Sequence, residues 1–479
     1  MTDHAYARTR TRKRAFFGLL DADGWTWASL KATFWFVLII FMLGYLPDRA
    51  YYFTVFSTID LGILAWSPVN LCPPQNKSLP CPPPTGAAIP WERSPAEIAL
   101  PEPRTDGALV QVGTQLLYIG GSDGQSARDT VYVTRTSGPG NFDRWVEGPP
   151  LPEPRADAAV AFFGGSIYVL GGSDENGEPT TSAFVLSPDI EAGTLGEWQT
   201  AEQADLPLEL PEPRMGAALV PLADGLLLVG GSDGSGPTAT VWKAPLDVDT
   251  GALEAWEPQP DLFAPRTDHI AALNGDFVWV YGGSDATGPT AQVQRGELGR
   301  SGEEQGQLLR WGVREGAINL PAPRTDPAGF AANGVLYLIG GADASGPRGE
   351  LYWAVPDSNG EFAEWKHLAA SDLPAGLAGG AATVSGSHAF VVGGETPGGL
   401  TADSLRSDLA PQPPFFQIGL VGMTIPALKI EGELGQQLGY LNAAGVATVN
   451  FVILVLIGYA LAHKERTRAF LERLRRRGR

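Results

Sequence analysis

Two short patterns recur through the middle of this sequence and set carboxylates at fixed places. In Pro-Arg-x-Asp an arginine stands two residues before an aspartate: Arg104 and Asp106, Arg155 and Asp157, Arg266 and Asp268, Arg324 and Asp326, with Arg214 keeping the arginine alone. In Gly-Gly-x-Asp the acids are Asp123, Asp174, Asp233, Asp285 and Asp343, and Glu395 directly follows a sixth glycine pair. Carboxylates gathered at one mouth could bind a ligand or a cation, or act as acid and base. The same residues suit a structural role, because Asp caps turns with its side chain and an Asp–Arg pair ties neighbouring elements together. Other chemistry is sparse. His269, His367 and His388 fall in this region, with no Ser/His/Asp spacing of note. Cys72 and Cys81 lie in CPPQNKSLPC with no CxxC or His-rich cluster beside them. They suit a local disulfide if they lie outside the cytoplasm, or two free thiols, and not a metal site.

These carboxylates are carried by an internal repeat. The second glycines of the doublets are Gly121, Gly172, Gly231, Gly283, Gly341 and Gly394, separated by 51, 59, 52, 58 and 53 residues. The interval from the Pro-Arg arginine to the first glycine never changes: Arg104 to Gly120, Arg155 to Gly171, Arg214 to Gly230, Arg266 to Gly282 and Arg324 to Gly340. Leu377 takes the arginine position in the sixth copy, at the same interval before Gly393. A fixed core with variable lengths elsewhere predicts one four-stranded unit per copy with free loops. Two strands lead to Gly-Gly, a third follows, and a fourth bears Trp145, Trp198, Trp256, Trp311 or Trp365. A sheet of that size cannot bury both its faces alone, so the units must close into a ring. Copy six lacks its tryptophan, and Trp91, 13 residues before Arg104, is expected to supply it and close the ring.

The glycine doublet, the downstream aromatics Tyr132, Phe184, Trp242 and Tyr352, and the tryptophan resemble the kelch repeat over about residues 88–409. The resemblance implies an all-β, six-bladed kelch-type β-propeller. Such propellers serve as binding scaffolds and as enzymes, so the fold alone does not choose. Galactose-oxidase-like copper chemistry would need Cys, Tyr and His inside the propeller, and both cysteines precede it.

Outside the repeats the composition changes. Residues 25–47 and 441–462 are apolar and long enough to span a bilayer, so one transmembrane helix is expected on each side of the propeller. Basic flanks, RTRTRKR before the first and HKERTRAFLERLRRRGR after the second, place residues 1–24 and 463–479 in the cytoplasm. The connectors 48–87 and 410–440, the Pro-rich stretches within them and the propeller itself are then extracytoplasmic. Taking the +3 of residues 1–47 and the +6 of residues 463–479 from the total of −19 leaves about −28 on residues 48–462. So acidic a region repels nucleic acid. The expected function is a cell-membrane-anchored module that binds a protein or glycan partner, without cofactor or metal. The alternative is a carbohydrate-active enzyme with an acidic site at the channel mouth. A perturbed carboxylate or histidine in a pocket would favour the enzyme, and a flat, self-neutralised face the scaffold.

Overall fold

The computed structural model describes residues 86–409, apart from 89–90, 96–97, 139–140, 190–191, 301–303, 314–317 and 386–387, and two short strand pairs. Those pairs are Arg14–Ala15 with Leu20–Asp21 and Gln417–Ile418 with Met423–Thr424. Segments 25–47 and 441–462, Cys72 and Cys81 lie outside the described residues. Among the described residues no helix is long and apolar enough to cross a membrane.

Residues 84–411 form one compact unit of six antiparallel blade sheets, with three two-stranded hairpins in the loops of blades four, five and six. The innermost strands are Ala108–Val112, Ala159–Phe163, Ala218–Leu222, Ile270–Asn274, Ala328–Ala332 and Ala381–Ser385. Each forms a hairpin with a second strand, and four of these, among them Gln115–Ile119 and Val335–Ile339, are buried along their whole length. A strand covered on both faces reads as a continuous apolar run, and LLLV and FVWVY do so. The apolar interior is divided into six clusters, one at each seam between neighbouring blades.

The ring closes as the tryptophan spacing predicts. Glu92–Arg93 is the outer strand of blade six, pairing Glu92 with Arg406 and Arg93 with Leu405 of Ser404–Asp408. Most outer tryptophans stand just before their strand: Trp145 precedes Val146–Glu147 and Trp365 precedes Lys366–His367, whereas Trp311 lies within Leu308–Val313. Five of the six indole N–H groups reach back to a backbone carbonyl of the preceding blade. Trp198, Trp256, Trp311, Trp365 and Trp91 donate to the carbonyls of Pro149, Leu208, Pro260, Ile318 and Ser371, at 2.8–3.1 Å. Each of those acceptors lies six residues before the Pro-Arg arginine, or before Leu377 in blade six. In blade one Trp145 donates instead to Ser404 Oγ, 3.3 Å away.

Strand direction fixes two faces. Bridges such as Thr105 to Ser122 and Thr325 to Ala342 put every Pro-Arg turn beside a Gly-Gly loop, on what we call the upper face. The chain enters and leaves the ring at Ala88 and Leu409, bridged to one another at the lower end of blade six. Replacing Trp91 with Ala empties a buried site and removes the Ser371 bond, and should cost about 3 kcal/mol in denaturant unfolding. Deleting 86–95 should abolish the cooperative transition. A deletion variant that melts like the intact chain would refute closure by this segment.

Candidate functional site

Asp106, Asp157, Asp268 and Asp326 all adopt the left-handed conformation, with φ of 47–56°, and Gly216 and Gly379 hold the same place at 61° and 62°. Left-handed backbone is costly for most residues and least so for Gly, Asn and Asp. That geometry aims each backbone N–H at the neighbouring blade. Asp157 donates to the Asp106 carbonyl, Gly216 to Asp157, Asp268 to Gly216, Asp326 to Asp268, Gly379 to Asp326, and Asp106 to Gly379. Five of these distances are 2.9 Å and one is 3.2 Å. The six blades are thus joined at their hub by a closed circle of backbone hydrogen bonds.

The carboxylates crowd the same circle. A Cβ on Gly216 would collide with Asp268 Oδ1, and one on Gly379 with Asp106 Oδ1, so the side chain of each of these two aspartates lies over the preceding blade's glycine. Thr105 and Thr267 donate their hydroxyls to Asp106 and Asp268 at 3.1 Å. Each aspartate keeps some surface in contact with solvent, yet protein encloses it closely. Burial, opposed by the Thr105 hydrogen bond and aided by Asp268 and Glu395, raises Asp106 from 3.8 to about 6. Burial raises Asp268 to about 6 as well. Burial and the other hub carboxylates hold Asp157 and Asp326 well above the usual range. Among the described residues no three acidic, histidine or cysteine side chains are placed to hold a metal ion.

The pairing of these aspartates with the Pro-Arg arginines, one of the two readings of the pattern, does not form. The arginines turn away from the axis and are buried between blades. The Arg104, Arg155 and Arg214 guanidiniums reach Glu102, Glu153 and Glu212 at 2.9, 2.6 and 2.8 Å. Each stacks on the aromatic of its third strand: Arg104 on Tyr132, Arg155 on Phe184 and Arg214 on Trp242, with ring centroids 4.5–5.9 Å away. Arg324 stacks on Tyr352 and pairs with Glu350, with Asp343 at 3.9 Å. Arginine and aromatic keep one spacing in blades one, three and five, and blade two is longer by a single residue, a signal that connects two marks of the repeat. Blade four departs. Gln294 stands at the aromatic's place and Ala264 at the glutamate's, so Arg266 bonds to the carbonyls of Gly282 and Gln292. Burial there lowers its pKa to about 10.

The Gly-Gly-x-Asp acids take the capping role. Asp123, Asp174, Asp233, Asp285 and Asp343 each accept the backbone N–H two residues on, at 2.7–2.9 Å. All five are held below the usual carboxylate range by hydrogen bonds within their own loops. Asp123 also pairs with Arg128, and Asp343 with Arg348 at 2.6 Å. The glycines before them are there for space. The second glycines of blades one, two, three, five and six donate to the carbonyl of the next blade's Arg155, Arg214, Arg266, Leu377 or Arg104. A Cβ on the first glycine of each of those five doublets would meet that carbonyl closer than 3.0 Å. One residue escaped the sequence pattern. His269 follows Asp268 where the other blades carry Gly, Ala or Pro, and both its ring nitrogens are buried without a partner. Burial, then Arg266, lowers its pKa to about 3.

Comparison with known proteins agrees with this architecture. The Kelch motif matches residues 154–198, which carry blade two. The kelch repeat protein M-T8 of Myxoma virus (strain Lausanne) is 28% identical over 197 residues, 41% of this chain and 34% of the viral protein. A kelch repeat-containing protein of Arabidopsis thaliana is 29% identical over 222 residues, 42% of this chain and 48% of its own length. Beta-scruin of Limulus polyphemus is 25% identical over 149 residues, 30% of this chain and 15% of that protein. The chain therefore spans half or less of the length of these relatives.

The hub carboxylates give stability a definite pH dependence. A group whose pKa is raised on folding favours the fold below its unfolded value, and that contribution is lost as pH rises through the folded value. Between about pH 4 and pH 6 the propeller should lose stability through Asp106 and Asp268. Asn keeps the left-handed backbone and removes the charge. Asp106→Asn and Asp268→Asn should each stabilise the chain at pH 7, by on the order of 1–2 kcal/mol after allowing for solvent in the channel. They should leave stability at pH 3.5 nearly unchanged. Melting curves that shift equally at both pH values would contradict this cause.

Proposed function

We infer a binding function from two things together: the chain belongs to the kelch-repeat β-propeller family, and it enters and leaves the ring on the lower face. The observation that carries the choice of face is the bridge between Ala88 and Leu409. With the chain entering and leaving the ring at the lower end of blade six, we read the Pro-Arg turns and Gly-Gly loops as the face that meets a partner. We propose that segments 25–47 and 441–462 anchor the chain in a cell membrane with both termini cytoplasmic. The propeller is then extracytoplasmic, and its upper face captures a protein or an envelope glycan. Asp106, Asp157, Asp268 and Asp326 lie at the centre of that face and the Gly-Gly loops around it.

A second reading, a carbohydrate-active enzyme, is favoured by one observation. The hub carboxylates are held at raised pKa values, which suits a general acid better than a passive surface does. The rim speaks for the scaffold, because its aspartates cap their own loops and two of them, Asp123 and Asp343, pair with arginine, so that they keep their charge but are not poised to move a proton.

Capture from solubilised membranes, with wild type beside Asp-to-Asn substitution at all four hub positions, separates these readings from a purely structural hub. Capture should weaken in the substituted chain, which by the preceding section folds at least as stably. Equal capture by both chains removes the hub from the binding surface. For topology, protease added outside intact cells should cut within the blades and spare both termini. Labelling of the C-terminal tail from outside would end the two-anchor reading.

A further inference from the structure

Among the described residues, the Pro-Arg turns and Gly-Gly loops of the upper face hide or pair every cation they have. They contain no lysine. Five of their arginines, Arg104, Arg155, Arg214, Arg266 and Arg324, are at most 3% exposed, and the other two, Arg128 and Arg348, are paired with aspartates. Asp129, Glu175, Glu209 and Asp261 stand exposed on the same face. The net charge these turns and loops offer a partner is negative.

One apolar group breaks that surface. In five blades a proline stands three residues before the arginine position: Pro101, Pro152, Pro211, Pro321 and Pro374. Blade four has Phe263 there, 68% exposed. Among the described residues the other exposed large apolar side chains are Val146, Val248 and Leu309, and none lies on a Pro-Arg turn or a Gly-Gly loop. Leu262, its neighbour, is buried and packs near Gly230, at the start of the Gly-Gly loop of blade three. The Pro-Arg turn that carries Phe263 thus lies between the Gly-Gly loops of blades three and four: the Gly231 N–H donates to the Arg266 carbonyl, and Thr267 bridges Ser284. The fold does not need an aromatic at this place, since proline serves in every other blade. A phenyl ring among acidic loops attracts a cation by its face while the loops attract it by charge.

We propose that the upper face docks a lysine- or arginine-bearing polypeptide segment, one of whose cations seats on the ring of Phe263. This rests on the reading that the upper face is the binding face and names the chemistry of its partner. A glycan without positive charge does not meet the same need.

The test uses the purified full-length chain and a fluorescent arginine–glycine peptide, with a serine–glycine peptide of equal length as control. At low salt the arginine peptide should bind and the serine peptide should not, with affinity falling as salt rises. Phe263→Pro, the residue of the other blades, should keep the melting temperature and weaken binding about fivefold, the loss of one cation–π contact. Phe263→Trp should bind at least as tightly as wild type, which keeps the test open even if the proline variant folds poorly. Equal binding by wild type and Phe263→Pro overturns the proposal, as does equal binding of the serine peptide. Binding that survives Phe263→Pro but is lost when Asp233 and Asp285 become Asn would keep the binding face and remove Phe263 from it.

Discussion

The circle of backbone hydrogen bonds at the hub is the constraint on which the rest of the propeller depends. Six blades meet at one axis, and each inner strand must begin where its neighbour's carbonyl can be reached. A left-handed residue turns the N–H sideways to that carbonyl, and six such residues in succession return to the start. The circle constrains sequence narrowly. Asp, Asn and Gly tolerate this backbone, and Asp or Gly occupies all six places. It also constrains what may lie beside it, since a Cβ on Gly216 or Gly379 would collide with a neighbouring carboxylate.

Further out, the same seam is closed twice more. The glycine doublet lets the next blade's arginine carbonyl approach to 2.6–2.8 Å of an amide N–H, and the outer tryptophan bonds back to the preceding blade. Between these polar ties lie the six apolar clusters, so no blade has a core of its own. Stability is therefore a property of seams, and a seam left unclosed exposes a whole blade face. Hence the segment at Trp91 matters beyond its two-residue strand. It supplies to the seam between blades five and six the indole bond to a backbone carbonyl that Trp198, Trp256, Trp311 and Trp365 supply elsewhere.

Much of this was legible in the sequence because each mark answers a geometric need that recurs six times. The constant interval from arginine to glycine is two strands and two turns with no room for insertion, and the variable lengths fall in loops outside the seams. The missing tryptophan of copy six pointed to Trp91 for the same reason. The arginines were not legible in this way. Proximity in sequence suggested that Arg104 would meet Asp106, but a left-handed residue between turn and strand sends the two side chains apart. The true partners, Glu102 just before the arginine and Tyr132 far along on the third strand, emerge only when that strand is folded back. His269 carried no signal at all, since one histidine in one copy has no repeat to measure it against.

The hub carboxylates are the part of the structure that the fold does not explain. Conformation asks only for a residue that tolerates left-handed backbone, and Gly216 and Gly379 make the same hydrogen bonds without any side chain. Asn would do as well. Four aspartates confined within one circle repel each other and are desolvated, which raises their pKa values and costs stability at neutral pH. The arginines that could neutralise them are spent between the blades, stacked on aromatics and capped by glutamates. A fold that buries its cations at the seams and gathers unneutralised acid at its hub carries a local cost with no local return. Such departures from the most stable choice concentrate at working sites. That cost is the ground on which the hub is proposed as part of the binding face.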